Sequence, residues 1–303
     1  MFLLHPAVDF GRSFTLHPST VIGLAALGAL YFWRAHRGPS PLDLQPAFPL
    51  RPTAHGDALT GTPAADADAD GPSVGQRAAF VHGLLLIFFT LNGPLHDLSD
   101  YYLFSAHMVQ HLILTLVVPP LLLYGTPGWM LRPLLRLPVL GALAKRLTTP
   151  ASSFLWFNVV LAVWHLPPMY NAALEFHAVH IVQHLMFIAT SVLMWWPLAS
   201  RLAELPRLAF PGQMLFCFLM VIPMSVVSIY IVMADSLLYP AYAMAPRVWG
   251  ISPLDDQQYG GLIMWIPGGV FFYAVMTVVF FKWSARNEED AGEDVGVPAA
   301  ATS

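Results

Sequence analysis

The 303-residue sequence is short of two things. Charged residues make up 11% of it, and cysteine occurs once, at Cys217. Soluble globular chains carry roughly 25% charged residues, so this one cannot coat a water-facing surface. A single cysteine excludes an internal disulfide and any CxxC metal or redox motif. The net charge of −4 offers no basic face for neutralising phosphates, so a nucleic-acid binder is excluded as well. What is plentiful is apolar: 56% hydrophobic residues and a mean hydropathy of +0.60. This is the composition of an all-α polytopic membrane protein, not of a cytosolic enzyme or a secreted disulfide scaffold.

A helix needs about 20 apolar residues to cross a bilayer. Seven stretches approach or reach that length, at 18–34, 78–95, 103–123, 151–167, 178–198, 211–233 and 260–282, which predicts a bundle of seven transmembrane helices. The first is the weakest, because its apolar run VIGLAALGALYFW is short. Only Arg12 precedes it and no cleavage site follows, so it reads as a retained helix rather than a signal. Twelve Lys and Arg residues fall on one side of this arrangement and two on the other. That bias puts the N-terminus in the periplasm and the C-terminus in the cytoplasm of a bacterial inner membrane. The expected organisation is a first helix in 1–35, a disordered cytoplasmic linker over 36–77 that contains ADADAD, a six-helix core over 78–283, and a disordered acidic tail over 284–303. The basic, proline-broken stretch 128–147 predicts short helices on the cytoplasmic surface. Trp195 and Trp196, close to a span end, read as interfacial anchors.

No Asp, Glu, Lys or Arg lies deep within these spans, so histidine is their main ionisable group. Such residues are costly in a membrane and mark functional sites. His107 and His111 lie four apart in HMVQHL, and His180 and His184 lie four apart in HIVQHL. Four residues is just over one helical turn, so each pair shares a face. Both spans run from outside to inside, which sets the two pairs at matched depth. His165 in WHLPPMY and His96 in GPLHDLSDYY fall at the same outer level, and His177 extends the second stripe. His82 falls near the opposite end. The four paired rings should therefore face one space between the third and fifth spans. Gln110 and Gln183 either orient ring nitrogens from outside the ligand set or join helices by hydrogen bonds.

Two histidines four apart on one helix face form a recurrent metal-binding arrangement. Plain helix–helix hydrogen bonding is the competing explanation. Imidazole suits copper, zinc, iron and nickel, and added thioether favours copper(I). The lack of carboxylates in the spans argues against a di-iron site. Copper is the preferred metal, and haem held between the third and fifth spans is the runner-up. Any single methionine in an apolar helix is first a packing residue.

The motifs also occur in a familiar order. SAHMVQHLILTLVVPPLLLYGTP, WHLPPMYNAAL, HAVHIVQHLMF with MWWPL, LYPAY and DQQYGGLIMWIPGG together resemble the CtaG-type family of cytochrome c oxidase assembly factors, over roughly residues 78–283. The resemblance implies a multi-pass membrane protein without catalytic turnover. It would work with oxidase subunits in the membrane lipid, with copper delivery as its usual proposed role. The matching residues here are His107, His111, His165, His180 and His184, with Asp256 and Gln257 ahead of the last span. Asp256 has two local readings: a cap at a helix start or an outer-shell partner of the histidines. A haem-binding or quinol-linked oxidoreductase and a metal-free assembly scaffold are the alternative functions.

Overall fold

A computed structural model describes residues 14–49, 69–247 and 249–295. It is built of helices, and no strand occurs among the described residues. In chain order these are α1 (Pro18–Arg37), the single turn α2 (Pro41–Leu44), α3 (Val74–Thr90), α4 (Pro94–Tyr101), α5 (Phe104–Gly125), α6 (Gly128–Leu135), α7 (Pro138–Leu147), α8 (Pro150–His165), α9 (Pro167–Glu175), α10 (His177–Ala199), α11 (Phe210–Val232) and α12 (Pro253–Val295).

Local chemistry sets most of these limits. Proline supplies a preset φ at the starts of α1, α2, α4, α7, α8 and α9. Ser73 and Gln76 form a reciprocal capping box at the start of α3. Gly93, at φ +75°, turns the chain between α3 and α4, which meet at 47°. Inside α5, residues Ile113–Val117 form a π-turn. The Pro119–Pro120 pair that follows explains it. Pro119 has no N–H to give the Thr115 carbonyl, which an α-helix would require. Trp195 Nε1–H donates to that carbonyl instead, at 2.9 Å.

Among the described residues, four helices are long and apolar enough to cross a membrane: Phe104–Gly125, His177–Ala199, Phe210–Val232 and Pro253–Glu288. The bent pairs α3–α4 and α7–α8, the latter turned through 85°, raise the number to six if each is one broken span. Such a set makes a polytopic membrane protein. The first expected span, α1, is a helix but is not among the four or the pairs. The closest helix approaches depend on absent side chains. A Cβ on Gly260 would stand 2.2 Å from Phe104 Cδ1, and one on Gly261 would stand 2.6 Å from Val232 Cγ2. Glycine at these two positions lets α12 lie flush on α5 and α11.

Three expectations change. The linker is not featureless where it is described. Residues 40–47 fold against α6, and α3 begins at Val74, ahead of the expected span. Asp43 accepts from Ser40 and pairs with Arg34 at 3.1 Å. Burial alone would raise its pKa, but the bonds from Ser40 and Arg34 outweigh it and hold the carboxyl below its ordinary range. The reason for the docking is Arg132, 1% exposed, which donates to the Asp43 carbonyl at 2.9 Å. Likewise the acidic tail continues α12 as helix to Val295. Residues 50–68, with most of ADADAD, and 296–303 lie outside the described residues. Finally, Trp195 and Trp196 are not surface anchors. Both are buried, and Trp196 Nε1–H donates to the Leu205 carbonyl at 3.2 Å.

Candidate metal centre

α5 and α10 begin alike. His107 and His180 are each the fourth residue of their helix, and His111 and His184 are each the eighth. The helices place these rings face to face. Across the interface, His107 lies 6.1 Å from His180 and 6.2 Å from His184 between ring centroids, and His111 lies 5.6 Å from His184. Within each helix the pairs stand 4.2 and 4.4 Å apart. All four rings are buried.

Among the described residues, two groups of three side chains bring ligand atoms within 4.8 Å of one another. One is His107, His111 and His184. The other is Asp100, His107 and His180. His107 belongs to both. The nitrogens in this cluster are poorly satisfied. Both ring nitrogens of His107 and of His111, and Nε2 of His165, His180 and His184, are buried with no protein hydrogen-bond partner. The Ser99 backbone approaches His107 without reaching hydrogen-bond geometry. Each buried donor or acceptor left unmade costs on the order of 1–3 kcal/mol. Packing alone does not gather seven such nitrogens, whereas an ion held among these rings would use the one lone pair that each neutral imidazole offers.

The other predicted residues divide. His165 ends α8 and is 6.2 Å from His111, outside both groups of three. Its Nδ1 is 2.7 Å from the Leu161 carbonyl, which fixes the proton there and leaves Nε2 bare. His96 reaches the cluster but not as a free ligand. Gln110 Nε2 donates to its Nδ1 at 3.0 Å, which directs the Nε2 proton toward Asp100 at 3.4 Å. His177 is exposed at the mouth, 6.3 Å from His17. His82 is exposed and bonded to the Ala78 carbonyl of its own helix, apart from the rest.

The twin HxxQH motifs use their glutamines differently. Gln110 ties three elements together: its amide donates to the Thr90 carbonyl at 2.8 Å, and its carbonyl accepts from Ser99 at 3.0 Å. Gln183 is buried with neither polar atom partnered. Asp256 caps a helix, but not its own. It accepts from the Phe104 and Ser105 backbone N–H groups at 2.6 and 3.1 Å and from the Ser105 hydroxyl, closing the start of α5. The positive ends of α5 and α10 both point at this region and would repel a cation. Asp256 and Asp100 offset that field. Asp256→Ala is expected to cost about 2 kcal/mol, the upper range for a lost cap, with Asp256→Asn in between because it keeps one acceptor. Thermal unfolding in detergent checks the order, and equal stability of all three proteins would refute the capping role.

Two residues escaped the sequence reading. Asp100 stands 3.4 Å from both His96 Nε2 and His180 Nδ1. The signal was present, since His96 and Asp100 are four apart on one helix face. His17 lies 4.4 Å from His96. It immediately precedes α1, and its backbone N–H donates to Asn92 Oδ1 at 2.7 Å. Over the cluster folds the LYPAY loop. Tyr239 donates to the His165 carbonyl and Tyr242 to the Ser99 carbonyl, each at 2.8 Å. Burial drives both phenols far above their ordinary pKa, so both stay donors at any physiological pH.

Comparison with known proteins gives a consistent picture. The family model described as cytochrome c oxidase caa3 assembly factor (Caa3_CtaG) matches residues 59–286. Uncharacterized proteins of Mycobacterium bovis and Mycobacterium tuberculosis are each 22% identical over 239 residues, covering 73% of this chain and 36% of their own length. One from Mycobacterium leprae is 22% identical over 241 residues, covering 72% and 35%. The chain thus spans about a third of the length of these relatives. No solved structure matches it significantly.

Proposed function

The chain belongs to the cytochrome c oxidase caa3 assembly factor family, and on that premise we propose that it binds copper at the α5–α10 histidine cluster and passes it to a cytochrome c oxidase subunit. The copper is cargo, and the chemistry is ligand exchange rather than turnover, so the protein is not an enzyme. The observation that carries the reading is that His107, His111, His180 and His184, whose buried ring nitrogens include six without a partner, bring ligand atoms together in two groups that share His107. Neutral imidazole suits copper, and the two groups sharing His107 provide stepwise positions. Asp100 supplies charge at the mouth, where an ion would enter. His107, His111 and His184 would then hold it without a charged ligand, loosely enough for a tighter site on the oxidase to take it. The proposed setting is a bacterial plasma membrane, with seven spans, the N-terminus and the cluster facing the periplasm, and the C-terminus in the cytoplasm.

Haem fits this space less well. A macrocycle needs a flat slot clear of side chains around its ligand axis. Here His111 lies 4.6 Å from Phe187, and His107 lies 5.2 Å from Tyr170.

The test is metal content by mass spectrometry, with a visible spectrum of the same detergent-purified sample. Wild-type protein is expected to carry copper and show no Soret band. The variant with His107, His111, His180 and His184 all changed to alanine is expected to carry none. Wild type that takes up no copper when loaded would point to a metal-free scaffold. A Soret band would point to the haem-linked oxidoreductase.

A further inference from the structure

His165 does not join the histidine groups at the mouth, yet the residue is 2% exposed and its bare, buried Nε2 needs a partner. Beneath the cluster is a cavity of about 20 Å³ that both His111 and His165 line. Met108, Met224 and Met264 line it too, and Phe187 and Leu161 contribute to its apolar wall. The space is about one water in size, which suits a single ion and little else.

Its donor set is distinctive. Leu161 holds the His165 proton on Nδ1, so Nε2 presents a lone pair. His111 has two unpartnered nitrogens, and its one lone pair, on either nitrogen according to the tautomer, can serve the upper group or the cavity in turn. The remaining polar-capable groups are three thioethers and the Thr115 hydroxyl, whose proton goes to the His111 carbonyl at 2.7 Å. No carboxylate or thiolate lines the cavity. Three methionines around a small apolar hole are ordinary packing. Two bare imidazoles bordering the same hole are not. An uncharged set of nitrogen and sulfur donors in an apolar wall selects on two grounds. Thioether sulfur prefers a soft ion. A divalent ion would also bring twice the uncompensated charge of a monovalent one into a low dielectric.

We infer that this cavity is a second copper(I) position, of mixed imidazole and thioether donors, in series with the histidine groups above it and sharing His111 with them. The inference rests on the copper reading proposed above. It gives the protein two chemically different stations. The upper one, next to Asp100, accepts copper(I) or a divalent ion. The lower one accepts copper(I) alone. An ion moves between them by exchanging ligands about His111, with no change of oxidation state.

The test is an anaerobic copper(I) titration of the full chain in detergent against a chromophoric chelator, paired with a zinc(II) titration and copper X-ray absorption. Wild type should bind two equivalents of copper(I) and one of zinc(II), with a copper–sulfur shell in the spectrum. Met224→Leu/Met264→Leu keeps the volume of the side chains and removes their sulfur. It should lose one copper(I) equivalent and the sulfur shell while keeping its zinc, which shows the fold intact. If the double variant loses zinc as well, Met264→Leu alone decides the matter, with at least a tenfold weaker second step expected. Two copper equivalents unchanged in the methionine variants overturn the inference. So does a single wild-type equivalent, with no sulfur shell, that disappears in His107→Ala; that result leaves the upper site standing. Wild type that binds no copper(I) overturns the copper reading itself, and this inference with it.

Discussion

Replacing His107 with alanine is expected to weaken copper(I) binding at the upper station more than any other single change, by at least about 100-fold, since loss of even an outer-shell partner can reach that cost. The reason is topological. His107 is the one residue common to both groups of converging ligand atoms. Removing His111, His180 or His184 leaves one group whole, whereas removing His107 leaves neither. His96→Ala should be milder, because His96 is already committed to Gln110 and Asp100. His82→Ala should do nothing, since its ring is exposed and bonded within its own helix. The stability of the metal-free protein should move the other way. His107 carries two buried nitrogens without partners, and replacing such a group by an apolar one of similar shape is neutral or stabilising. His107→Leu should therefore abolish tight binding while leaving thermal stability and cellular abundance unchanged or raised, and oxidase activity in cells should fall. A His107→Leu protein that is lost from the membrane would mark the ring as structural, and His96 and His107 variants with equal affinities would remove the shared-ligand account.

Part of this site could be read directly from the sequence and part could not. The HxxQH repeat defines two helical stripes, and the Lys and Arg bias makes their helices parallel. Their meeting then follows from depth alone, and the ring distances of 5.6–6.2 Å across α5 and α10 agree. A linear pattern cannot say which polar side chain finds which partner. Gln110 and Gln183 have the same local sequence. One ties α3, α4 and α5 together and the other bonds to nothing, because only α5 has α4 folded back over it. Asp256 begins one helix and caps another, a long-range contact invisible to local capping rules. Trp195 sits where an anchor would sit, but the carbonyl freed by Pro119 draws it inward. Composition misled at the linker for a similar reason. Residues 38–49 lack apolar periodicity, but their backbone carbonyls and N–H groups satisfy a buried arginine on α6 and a buried glutamate from the loop after α10.

That last contact is where the largest loss of stability is expected. Arg132 and Glu204 form an ion pair at 3.0 Å with side chains 1% and 0% exposed. Both come from connections between the long helices, and the segment 43–47 seals them. Arg132 also donates to the Asp43 carbonyl, and Glu204 accepts the Ala47 backbone N–H at 3.0 Å. Breaking a buried pair from one side leaves the other charge without compensation, at a cost of about 3–5 kcal/mol. Arg132→Met and Glu204→Leu should each unfold at markedly lower temperature in detergent. The double variant removes both charges, so most of that loss should return. It should not return entirely, because the Asp43 carbonyl and the Ala47 N–H also lose their partners, a residual of roughly 1–2 kcal/mol. Phe48 packs against Gly141 and beneath Lys145 and depends on the same docking. Chymotrypsin, which cannot cut the Phe48–Pro49 bond, should cut after Leu44 in the same segment in both single variants and spare it in the wild type. If each single variant loses less than about 1 kcal/mol, as an exposed pair would, the segment 40–49 is held by its apolar contacts and the ion pair is incidental. If they lose the full amount and the double variant recovers, the ion pair is what ties the first helix and its linker to the membrane core that carries the histidines.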